Sequence, residues 1–79
     1  MRYYVDTISQ TKSGDEYSEF GKRESKVSME SALSAFYDAL ATVAKTSSYV
    51  YFDIKIVNSQ GGIEKKDQIG KYVEQTTTE

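Results

Sequence analysis

Residues 27–45 read VSMESALSAFYDALATVAK, the one stretch of this 79-residue chain whose apolar residues recur at helical spacing. Wound at about 100° per residue, Met29, Ala32, Leu33, Phe36, Leu40 and Val43 fall in a single stripe, with Ser31, Ser34, Asp38, Thr42 and Lys45 opposite. Ser28 carries the hydroxyl that an N-cap needs, and Val27 can supply the outer half of a hydrophobic staple. Glu30 stands in the first turn and Lys45 in the last, each where the helix dipole favours its charge, and Thr46-Ser47-Ser48 ends the pattern. The Met and aromatic stripe is read as core and given no functional meaning.

Strand signals lie on both sides of this helix. Downstream, residues 49–57 alternate Val50, Phe52, Ile54 and Ile56 with Tyr49, Tyr51, Asp53 and Lys55, the period of a half-buried strand. Asn58-Ser59-Gln60-Gly61-Gly62 follows as a hairpin loop, and a last strand is expected within residues 69–74. The polar run Glu64-Lys65-Lys66-Asp67 makes the return bulged, edge-like or partly loop. Upstream, residues 3–8 form a strand with Tyr3, Val5 and Thr7 on one side and Tyr4, Asp6 and Ile8 on the other. Ser13-Gly14-Asp15 marks a loop within residues 9–16, and residues 17–23 give a short second strand weakened by Gly21.

The order is therefore ββαββ: an α+β domain over residues 1–75, built as a four-stranded antiparallel sheet with one helix packed on one face. A right-handed crossover through the helix lands strand three beside strand one, giving the spatial order 2-1-3-4 with the two most apolar strands central; 2-1-4-3 stays open. Residues 76–79 have nothing to bury and are expected to form a disordered tail.

Composition removes several chemistries. There is no Cys, hence no disulfide, thiolate nucleophile or sulfur-bound zinc, and no His, the usual general base near pH 7 and the commonest metal ligand. The N-terminal residues show no apolar signal core, and no uncharged apolar run reaches about 18 residues, so a cytoplasmic chain that does not enter the membrane is expected. A net charge of −2 with both signs interspersed does not point to nucleic acid. Lys22, Arg23, Lys26, Lys65 and Lys66 form a basic cluster that reads as solvated loop charge, and Gly61-Gly62 is turn chemistry with no helix after it to hold a phosphate. Asp6 and Asp53 would be two neighbouring carboxylates if strands one and three pair, but on an open sheet they lack the concave, desolvated setting of an active site. No catalytic residue, metal or cofactor is expected.

One helix covers one face of a sheet. It is expected to take Val50, Phe52, Ile54, Ile56, Phe20, Tyr3 and Val5, which leaves Tyr4, Ile8, Tyr17, Tyr49, Tyr51 and Tyr72 on the other face with Asp6, Glu19 and Asp53. Tyrosine tolerates water but binds well when covered. Tyr4, Tyr49, Tyr51, Tyr17 and Asp53 are accordingly the candidate binding residues, in a non-enzymatic module that meets a protein partner or its own copy as a homodimer. The alternative is a small-ligand or nucleotide-binding homo-oligomer whose pocket forms between subunits. In size, in lacking Cys, His, Trp and Pro, and in its Tyr-rich acidic character, the chain resembles the small accessory proteins of phages and mobile elements, which implies binding to a host protein.

Overall fold

The turn at Gly14 and Asp15 sets the register of the first half of the molecule. In the computed structural model, which describes residues 2–74, Gly14 has φ +63° and no non-glycine residue has positive φ, so Asp15 follows on the negative side, the pattern of a type II′ hairpin turn. Strand β1 (Tyr3–Ser13) and strand β2 (Glu16–Lys26) pair antiparallel without interruption from Tyr3 opposite Lys26 to Ser13 opposite Glu16. Both strands are longer than their apolar residues suggest. The polar run of residues 9–13 is carried into the sheet by the ladder and the tight turn, where hydrophobic alternation alone would end it.

Helix α1 (Met29–Ala44) follows, its N-terminus capped by Ser28, whose Oγ accepts the Ser31 N–H at 3.1 Å. Lys45 is the C-cap, one residue beyond the last turn in which it was expected. Strand β3 (Tyr49–Asn58) and strand β4 (Ile63–Gly70) complete an antiparallel sheet of order β2-β1-β3-β4, which resolves the alternative order. Since β1 runs opposite to both β2 and β3, α1 joins two parallel strands with β1 lying between them.

Ala32, Phe36 and Val43 of the helix stripe are buried against Val5, Phe52, Ile54 and Ile56, with Tyr3, Met29, Leu33, Leu40 and Ile69 packed around them. Phe36, Ile54 and Ile56 are fully buried. Three expectations need correction. The last strand is residues 63–70, not within 69–74: its polar residues suit an edge strand, where charge discourages pairing with other chains. Val50 lies outside the core because the β1–β3 register slips there, Gln10 facing Tyr51 and Thr11 facing Tyr49, so Val50 is the extra residue of a bulge. Phe20 is on the helix side by alternation but remains 53% exposed, because α1 lies over β1 and β3 and leaves β2 uncovered. The expected tail at residues 76–79 lies outside the described residues.

Candidate binding face

Register assigns the side chains of the uncovered face to rows running across the strands. Ser25, Tyr4, Val57 and Ile63 form the first; Arg23, Asp6, Lys55 and Lys66 the second; Gly21, Ile8, Asp53 and Gln68 the third; Glu19, Gln10, Tyr51 and Gly70 the fourth. Asp6 and Asp53 thus sit diagonally, each opposite a different residue.

The chain itself crosses the fourth row. Gly70 has φ +76°, and a Cβ on it would overlap the Val50 carbonyl oxygen, so only glycine can turn the chain out of β4 at this point. Residues 71–74 then pass back over the face as a strap. Gln10, which has no exposed surface, donates from Nε2 to the Val73 carbonyl at 2.7 Å and accepts the Val73 N–H on Oε1 at 2.9 Å. The Tyr72 ring meets the Tyr51 ring edge-on, centroids 5.5 Å apart, and its hydroxyl donates to the Glu19 carboxylate. That hydrogen bond holds the Tyr72 pKa above its ordinary value. The Tyr51 pKa is also raised, first by burial and then by its own hydroxyl donating to Asp53 at 3.0 Å.

The second row is a charge pair. Arg23 donates from Nε and from an Nη to the two carboxylate oxygens of Asp6, both at 2.6 Å, and its guanidinium carbon stands 4.8 Å from the Tyr4 ring centre. The hydrogen bond from Arg23 is the main reason the Asp6 carboxyl titrates below its ordinary value. Between the pair and the strap lies Ile8, 44% exposed.

Of the expected binding residues, Tyr4, Tyr51 and Asp53 share this face. Tyr17 lies one row past the strap, with the Lys12 ammonium 5.5 Å from its ring centre. Tyr49 does not belong to the face: the bulge at Val50 turns it to the helix side, where it packs edge-on against Phe52 with centroids 6.1 Å apart. The basic cluster is also divided. Lys22 and Lys26 pair with Glu24 at 2.8 and 3.5 Å, and Lys65 stands over the rings of Phe36 and Tyr37, all on the helix side, whereas Arg23 and Lys66 are on the open side. Among the described residues no group of three or more His, Cys, Asp or Glu is placed to hold a metal ion, and no helix is long and apolar enough to cross a membrane.

Sequence reasoning missed Gln10 and Gly70, an anchor and the pivot of the strap; it placed Glu19 and Tyr72 on the open face but not the hydrogen bond between them. Gly70 was the available signal, a glycine inside the stretch read as the last strand and just before Tyr72 and Val73. It also missed a cleft of about 390 Å³ on the helix side, where Phe20, Lys22 and Glu24 of β2 face Asp38, Ala39 and Thr42 of α1 over Val5, Thr7, Ser9 and Phe52. No protein-family model matches the chain, and comparisons with curated proteins and with solved structures gave no match.

Proposed function

We propose that this chain is a non-enzymatic protein-interaction module that binds through the open face of its sheet. The observation that carries the reading is Ile8, an aliphatic side chain 44% exposed in the middle of a face that no helix covers, with the ring of Tyr51 in the next row and that of Tyr4 two rows away. Both sheet edges carry charge, at intervals from Glu16 to Lys26 on β2 and in the run Glu64–Asp67 on β4, which favours the face over the edges as the meeting surface. The Asp6 carboxylate is answered within the chain by Arg23, so a partner covering it does not have to supply a counter-charge.

The test is co-purification from a native-like lysate, with sedimentation at micromolar concentration, on wild type, Ile8→Asp and Phe20→Ser. A protein partner or a self-association lost in Ile8→Asp and kept in Phe20→Ser supports the reading. A monomer that retains no partner in either form defeats it. A second reading, small-ligand binding, is favoured by the helix-side cleft, whose volume lies in the range of roughly 300–1,000 Å³ common for ligand sites. That cleft lies within one chain, not between subunits. A bound small molecule whose retention depends on Phe20 and not on Ile8 would select this second reading.

A further inference from the structure

The strap shows what kind of partner the open face fits. Gln10 is fully buried and spends both ends of its amide on the N–H and C=O of one residue, Val73. This clamp reads backbone, and it accepts any residue that arrives extended with both groups free. Selectivity comes from the preceding position, where Tyr51 offers an aromatic face and Glu19 a carboxylate to receive a hydroxyl, the two features that Tyr72 uses. Glu19, Gln10 and Tyr51 come from three strands and lie in one row, so the subsite is held by the sheet and not by a loop.

We infer that this row is an extended-peptide recognition site, filled in the free chain by residues 71–74, and that its partner is a segment of another protein carrying a tyrosine followed by a residue with a free backbone N–H and C=O. The inference rests on the interaction reading above and names the chemistry of the partner. Residues 71–74 are a light occupant. Lys71, Tyr72 and Glu74 are exposed, Val73 is half-buried, and Ile8 in the adjoining row is left uncovered. A partner segment that places an apolar residue on Ile8 gains a contact the strap does not make. The same segment from a second copy of this chain gains nothing over the tethered one, which holds its site at an effective concentration on the order of millimolar.

The probe is the capped synthetic peptide GKYVE, titrated into the full ¹⁵N-labelled chain, wild type and Tyr72→Ser, and followed by amide chemical shifts. The substitution is at an exposed position and frees the Tyr51 and Glu19 subsites. The expected result is binding to Tyr72→Ser at least tenfold tighter than to wild type, with shifts at Gln10, Glu19 and Tyr51, and no binding of GKSVE. Glu19→Gln in the Tyr72→Ser background weakens GKYVE several-fold, and this arm leaves the Gln10 side chain itself unchanged. Absence of shifts in Tyr72→Ser, equal binding of GKYVE and GKSVE, or shifts confined to the helix-side cleft would overturn the peptide site. Concentration-dependent dimers of wild type that Tyr72→Ser abolishes would overturn the choice of partner in favour of a second copy. A partner captured through Ile8 while GKYVE fails to bind leaves the interaction reading standing and removes only this inference.

Discussion

Gln10 and Val73, 63 positions apart in the chain, share two hydrogen bonds, one in each direction. A buried amide and the N–H and C=O of one residue satisfy each other there, so residues 71–74 are tied to the sheet by polar contacts as well as by the Tyr72–Tyr51 ring contact. Each such bond contributes on the order of 0.5–1.5 kcal/mol net. Gln10→Leu, which keeps the volume and removes both bonds, is expected to cost about 1–3 kcal/mol in urea unfolding. Hydrogen exchange at the Val73 amide should rise at the same time while the amides of β1 and β3 stay protected.

Gly70→Ala is expected to be worse, although it adds a single methyl. The left-handed backbone alone costs a non-glycine residue roughly 1–2 kcal/mol. The new Cβ also meets the Val50 carbonyl oxygen, a backbone atom that cannot swing aside as a flexible side chain can. The variant should lose more stability than Gln10→Leu, and the Tyr51–Tyr72 ring contact should disappear from its nuclear Overhauser spectrum.

Phe36→Ala removes a fully buried ring from the helix face that closes the core. The expected cost is about 3–5 kcal/mol, a large share of the roughly 5–15 kcal/mol that holds typical domains folded. Loss of a cooperative thermal transition, or a melting temperature lowered by about 12 °C or more on the basis of roughly 4–8 °C per kcal/mol, is the result to look for.

Acid should act through Asp6. Its carboxyl is more acidic in the folded chain than the ordinary value of 3.8, chiefly because Arg23 donates to it. A depressed folded pKa gives stability that is present above the unfolded pKa and is lost as pH falls through the folded one. The difference in stability between wild type and Asp6→Asn is therefore expected to be constant from pH 7 to about 5, to shrink below about 4, and to vanish once Asp6 is protonated in both states. Denaturant midpoints measured from pH 7 to pH 2 check this.

How legible this structure is in the sequence depends on the range of the interaction. The helix is readable because Phe36 and Val43 announce their shared face locally, and Ser28 announces its start. The strand order was half readable: Val5, Phe52, Ile54 and Ile56 favour β1 and β3 as the central pair under that helix, and the ladder between them is what excludes 2-1-4-3. The face of Tyr49 was not readable, because alternation assumes an unbroken ladder and the bulge at Val50 inserts one residue. The strap was unreadable for another reason: Gln10 resembles any polar strand residue until the register brings Glu19, Tyr51 and Gly70 alongside it. The helix-side cleft arises because a single helix of 16 residues does not span four strands, which is geometry and not pattern.

The strap also has a consequence for the order of events in folding. Its anchors lie on β2, β1 and β3, so it has no site until those three strands have met. A contact closed across 63 residues that depends on a finished sheet belongs to the native side of the rate-limiting barrier. Substitutions at Tyr72 or Gln10 should therefore leave the refolding limb of a chevron plot nearly where it is and move the unfolding limb, shortening the lifetime of the folded chain without slowing its formation.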